Sequence, residues 1–194
     1  MQSLTRDNLM SLEQYAVGRP AFRAAVLAHK RNRKVPVGPH MTLCFEDRLT
    51  VQYQVQEMLR IERVFEPEGI EDELAAYNPM IPDGRNWKAT LMIEYGDIEE
   101  RRIALQQMVG IENRVWVQVA DFERVYAVAD EDLERATEAK TSSVHFLRFE
   151  LTTPMAVAVR QGAAIAAGVS HGAYTATVEA LPENVRRSLA SDFV

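Results

Sequence analysis

The chain has 194 residues, of which 47% are hydrophobic and 26% charged, with a formal net charge of −6. This composition is that of a globular protein and excludes a disordered one, and no window approaches the roughly 20 apolar residues of a membrane span. The one cysteine, Cys44, excludes an internal disulfide, a Cys-based zinc site and an iron–sulfur cluster held by this chain alone.

The first third reads as helical. Thr5 is an N-cap for a helix over 5–17, Gly18 closes it, and Pro20 opens a second helix whose apolar face includes Phe22 and Val26. That second helix runs into the basic segment 29–34. Residues 35–45, interrupted by Gly38-Pro39, read as an extended connection or short strand, and Cys44 sits there as a buried, inert thiol. A long helix follows over 49–64, with Val51, Val55 and Met58 at helical spacing. The next position on that line is Glu62, a carboxylate aimed into an apolar stripe that must find a partner, because burying it alone costs several kcal/mol. Glu57 and Arg60 form a helical ion pair, and Tyr53 and Glu57 project from a different face, available to a partner or a second pocket. A shorter helix over 70–77 ends at Asn78-Pro79.

The second part changes period. Trp87, Ala89, Leu91, Ile93 and Tyr95 alternate with polar residues as a strand with one buried face. Asp97 and Glu100 open a helix over 97–109, which Gly110 terminates. Residues 114–120 and 123–129 alternate as two strands of a hairpin, 130–140 is charged and helix-prone, and 143–151 is the fourth strand. Thr153 and Pro154 begin an alanine-rich helix interrupted by Gly162 and ended by Gly168, and Pro182 begins a last short helix. The sum is α+β: N-terminal helices packed on a mainly antiparallel sheet of about four strands, with further helices between and after the strands. One domain over 1–194 is expected, with a helical part over about 1–82 and a sheet-containing part over about 83–194.

Charge is unevenly spread: residues 1–65 carry ten Lys and Arg against six Asp and Glu, whereas 66–194 carry twelve against twenty-two. Lys30, Arg31, Arg33 and Lys34 supply most of the local excess. They read as a solvated helix C-terminus or as a docking patch for an acidic partner. Nucleic acid does not fit an acidic protein whose basic run lacks interleaved aromatics. The absence of a signal peptide or span implies a cytoplasmic protein.

No catalytic signature is present: no phosphate loop, no GxSxG, no HExxH, no EF-hand and no ExxH pair. The polar residues in apolar company are Glu62, Glu94, His145, Arg148 and Glu150. His145 shares a strand face with Leu147, Phe149 and Leu151, and Arg148 is the expected partner of Glu62 or Glu94 in a charge network at the helix–sheet junction. The alternative is a polar pocket of the same residues, acting as acid and base or holding a divalent metal; no other cofactor is evident. Trp116 and Tyr126, on the polar sides of their strands, mark a possible homo-oligomer or assembly interface.

The blocks FEDRLTVQYQVQEMLRIERV, AYNPMIPDGRNWKATLMIEY, RVWVQV and KTSSVHFLRFEL resemble the bacterial family known as domain of unknown function 3501 over nearly the whole chain. The resemblance brings no catalytic residues. It implies an association with rubrerythrin-like di-iron and iron–sulfur oxidoreductase-like proteins, and so a role near peroxide handling or electron transfer. Three functions follow: an accessory protein to such a redox partner, an enzyme or metal-binding protein with a junction pocket, or an assembly protein.

Overall fold

Residues 2–132, 135–137 and 139–193 are described by a computed structural model of the chain. Ser11 caps helix α1 (Leu12–Lys30) by accepting from the Gln14 amide, while Thr5 caps only a short 3-10 turn before it. The two helices expected over 5–17 and from Pro20 are therefore one. Gly18 and Pro20 both lie inside α1, where the apolar contacts of Tyr15 and Val26, both fully buried, outweigh two helix-breaking residues.

The segment expected as an extended connection or short strand is a hairpin of two strands, β1 (Lys34–Pro36) and β2 (Met41–Glu46), turning at Gly38. Asp47 caps α2 (Arg48–Glu62), and α3 (Pro67–Tyr77) runs into a 3-10 turn at Asn78–Met80. β3 (Asn86–Ile93) alternates as expected, and α4 (Ile98–Gln107) starts at the Asp97 cap. β4 (Val115–Val119) pairs with β5 (Val125–Tyr126), but the strand expected over 123–129 splits at Ala127. Its end, β6 (Val128–Ala129), crosses to pair with β7 (Val144–Glu150) in the other sheet. Among the described residues of 130–140 there is no helix, contrary to the charge pattern.

The alanine-rich helix is also shorter than expected. α5 (Thr153–Arg160) stops before Gly162, and 163–168 leads into a hairpin of β8 (Ile165–His171) and β9 (Tyr174–Val178), followed by α6 (Glu183–Ala190). Gly168 is a strand residue opposite Trp116, so close that a Cβ there would strike the indole. The fold is α+β with two antiparallel sheets in place of one of about four strands, ordered β1-β2-β3-β7-β6 and β5-β4-β8-β9.

The buried faces of both sheets belong to one core that also takes in α5 and α6, from Leu43, Trp87 and Phe149 to Val117, Ala167 and Leu189. A second cluster, Leu4, Val51, Val55, Leu59, Leu74 and Ile81, joins α2 to α3. The junction between the two is fastened by Arg33, which is 1% exposed. Its Nε donates to the Phe45 carbonyl at 3.0 Å, Nη1 to Ser188, and Nη2 to the Glu46 carbonyl at 3.0 Å and Asp192 Oδ2 at 2.6 Å. Asp47 Oδ2 lies 3.4 Å from Arg33 Nε and 2.5 Å from His29 Nε2. Burial works to raise the Asp47 carboxyl, but the Arg33 charge and the Thr50 amide hold it below the usual range. One member of the expected basic patch, Arg33, is thus consumed inside the protein, and His29 beside the patch is paired with Asp47.

Asp192 behaves oppositely. Burial pushes its carboxyl up to about 6 against the pull of Arg33, and its Oδ1 has no hydrogen-bond partner among the described residues. The folded state therefore holds this proton more tightly than the unfolded chain, whose ordinary value is 3.8. Between those values stability falls as pH rises, by an amount on the order of 2–3 kcal/mol for this group. Chemical denaturation at pH 4 and pH 7 should show that decline in the wild type relative to Asp192→Asn, whose side chain cannot ionise; parallel profiles for the two proteins would refute it.

Candidate functional site

The period-2 alternation that buries one face of the first sheet turns the opposite face toward the helices. There β2 presents Cys44 and Glu46, β3 presents Lys88, Thr90 and Met92, and β7 presents Val144, Phe146 and Arg148. Register places Glu46 beside Lys88, Lys88 beside Arg148, and Thr90 between Cys44 and Phe146. The last turn of α3 and the 3-10 turn after it add Ala76, Tyr77, Pro79 and Met80. The helices do not close on this face. They leave a cavity of about 270 Å³ around Lys88 and Arg148 and a second of about 430 Å³ around Lys30, Lys34 and Cys44. The two share Glu46, Tyr77, Met80 and Phe146 in their linings, and so lie side by side along one trough-like face.

Most charges along the trough are already paired. Glu46 accepts from Thr90 Oγ1 at 2.8 Å and Thr50 Oγ1 at 2.6 Å. Arg148 holds both oxygens of Glu131, at 2.8 and 2.9 Å, and donates to Glu150 at 2.9 Å. The hydrogen bond from Arg148 holds the Glu131 carboxyl below its usual range, and the same bond pushes the guanidinium up. Arg135 bonds Asp132 and Asp130 and lies 4.3 Å over the Phe146 ring. Lys88 is different: half-buried, it has no hydrogen bond or ion pair among the described residues, and burial pulls its amine down. Burial pushes the half-buried Cys44 thiol up, consistent with an unreactive group.

A model of the family described as "Protein of unknown function (DUF3501)" matches residues 3–193. The chain belongs to this family. A crystal structure of a novel protein of unknown function from Burkholderia pseudomallei K96243 is 49% identical, with a TM-score of 0.95 over 100% of both chains. No curated protein matches. The function of this DUF3501 chain must therefore be argued from its geometry.

The expected polar residues do not converge. Arg148 and Glu150 meet, but with Glu131 as the third member, and Arg148 forms no pair with Glu62 or Glu94. Glu62 is exposed: the buried line of α2 is Val51, Val55 and Leu59, and Glu62, the last helical residue before the left-handed Arg63, lies beyond it. Glu94 accepts from Thr42 Oγ1 at 2.8 Å. His145 lies on the opposite, core-facing side of β7 and is fully buried. Its Nδ1 sits 2.6 Å from Asp130 Oδ2, and its Nε2 sits 2.9 Å from Thr141 Oγ1, 3.1 Å from the Ser142 carbonyl and 3.9 Å from Glu112 Oε2. The order hydroxyl, imidazole, carboxylate is that of a nucleophile relay. Thr141, however, is 2% exposed and lines neither cavity, so the group fastens the crossing chain to β7.

On the far face of α2, Glu57 receives two bonds from Arg19 and one from the Tyr15 hydroxyl, and lies 3.5 Å from Arg60. The Arg19 bond, opposed by burial, brings its carboxyl down to about 2. Tyr53 packs on Phe22 and lies under Lys30 Nζ at 5.6 Å, so this face is a closed contact between helices. Trp116 is buried, with Arg124 stacked 3.9 Å over its ring, and only Tyr126 of the expected interface pair is exposed. Among the described residues no three His, Cys, Asp or Glu side chains are grouped to hold a metal, and no helix is long and apolar enough to cross a membrane.

Sequence reasoning missed Lys88, Tyr77 and Met80 as trough residues and Asp130, Thr141 and Glu112 as partners of His145. The signal for Lys88 was present, as the polar alternate of a recognisable strand. Replacing Asp130 with Ala removes the acceptor of both His145 Nδ1 and the Phe146 amide, which Asp130 Oδ1 holds at 3.0 Å. Urea denaturation should register a loss of about 3 kcal/mol; a loss under about 1 kcal/mol would deny this cluster its structural role.

Proposed function

We propose that the protein is a binding protein, an accessory to a partner of the rubrerythrin-like or iron–sulfur type, and that the helix–sheet trough is the surface it uses. The observation that carries this reading is the adjacency of the two cavities, which share Glu46, Tyr77, Met80 and Phe146. It sets an apolar floor and wall, Phe146, Tyr77 and Met80, in line with a basic mouth at Lys30 and Lys34. Arg31 is exposed beside them, and Arg33, spent on the interior, is removed from the docking set. An acidic surface complements that mouth, and cations at the end of α1 steer such a partner at moderate ionic strength. The identity of the partner draws on the family resemblance.

A small-ligand role for the other cavity is the second reading, favoured by the unpaired Lys88. Reaction chemistry of the protein's own is the weaker option, because the acids lining the trough are engaged in pairs. Calorimetric titration of the purified protein with a purified rubrerythrin-like partner from the same organism tests the docking. Reversing charge at Lys30, Arg31 and Lys34 together should weaken binding at least tenfold and flatten its salt dependence. Unchanged affinity in the triple variant would contradict the role given to the mouth.

A further inference from the structure

The ammonium of Lys88 is an anomaly in its surroundings. Its cross-strand neighbour Glu46 turns its carboxylate to Thr50 and Thr90, and its other neighbour, Arg148, is shared between Glu131 and Glu150. Glu131, Asp83 and Glu150 act on Lys88 from a distance, without a hydrogen bond. A half-buried ammonium is partly desolvated, and a charge-assisted hydrogen bond from an anion compensates that more strongly than water does. The cavity it lines takes its apolar surface mainly from Tyr77, Pro79, Met80 and Phe146, with Glu46, Glu131, Asp132, Arg135 and Arg148 around it. A cation with no hydrogen bond or ion pair among the described residues, set beside apolar surface, suits the anionic end of a small amphipathic ligand.

We propose that Lys88 anchors the anionic group of a small organic acid whose apolar body lies against Tyr77, Met80 and Phe146. The site takes a carboxylate or sulfonate on a compact hydrophobic skeleton and discriminates against the neutral analogue, because without the anion Lys88 stays unpaired. Burial pulls the amine down in the empty site, and an anion beside it favours the charged form. This inference rests on the reading of the trough as a binding site, and its test separates the two.

The test uses two dyes with one apolar body: 1-anilinonaphthalene-8-sulfonate and its uncharged counterpart N-phenyl-1-naphthylamine. Fluorescence titrations are run on the wild type, Lys88→Met, Lys88→Arg and Ala76→Trp, each confirmed as folded by its urea midpoint. Ala76 is exposed at the rim of the cavity, so a Trp there obstructs it. The sulfonate dye should bind the wild type with one saturable site, lose at least tenfold in affinity in Lys88→Met, and recover most of it in Lys88→Arg. The neutral dye should bind wild type and Lys88→Met alike, and Ala76→Trp should weaken both dyes. Equal affinity of the sulfonate dye for wild type and Lys88→Met, with Ala76→Trp still inhibitory, overturns the anchor and leaves the trough. Dye binding that ignores Ala76→Trp, or no saturable binding of either dye, overturns the trough as a ligand site and the anchor with it.

Discussion

A buried guanidinium is expensive unless every direction in which it points ends on an acceptor, and Arg33 is placed where that condition organises the molecule. Its bonds run to the carbonyls of Phe45 and Glu46 at the end of β2, to Ser188 of α6 and to Asp192 beyond it, with Asp47 at the start of α2 beside its Nε. One side chain thus joins the end of α1, the first sheet, the cap of α2 and the C-terminal helix. Trp87 reinforces the same joint, donating from its indole to the Leu189 carbonyl and packing edge-on against Phe193.

That joint explains why a trough exists at all. The main chain at Glu46 is held from below by Arg33, and its side chain is held from above by Thr50 and Thr90, so the point where β2 becomes α2 is rigid. The helices are hinged to the sheet along this edge and packed on each other through Val51, Val55, Leu59 and Leu74. They bury their shared stripe between themselves, and the outer sheet face under Tyr77 and Met80 stays only partly covered. The opposite side of the trough is stiffened by the bidentate pair of Arg148 and Glu131, and Asp130 ties the crossing chain to His145 underneath. The walls are fixed by polar contacts, while the space between them is lined largely by apolar groups.

Much of this was legible in the sequence where a single period dominates. The alternation from Trp87 to Ile93, the first part of the α2 stripe at Val51 and Val55, and the shared face of His145 and Leu147 on β7 follow from spacing, whereas the stripe continues through Leu59 and not through Met58 and Glu62. The failures have physical causes. Small residues such as Ala166, Ala167 and Gly168 carry no readable period, and β8 needs the glycine because Trp116 lies close above it. The run from Lys30 to Lys34 looks uniformly solvated, and nothing local tells that Arg33 alone turns inward to meet a residue more than 150 positions away. Asp130 meets His145 only because the chain changes sheets at Ala127, a topological fact beyond any local window. The carboxylate at Glu62 drew attention for its place in the stripe, yet it lies where the helix has already run past its cover.

Arg33 is the joint between helices, sheet and C-terminus, and amide hydrogen exchange on Arg33→Leu tests that role most directly. In the variant β2, the first turn of α2 and α6 should lose protection together, while β4 and β8 of the second sheet keep more of theirs. Protection of α6 equal to that of the wild type would contradict it.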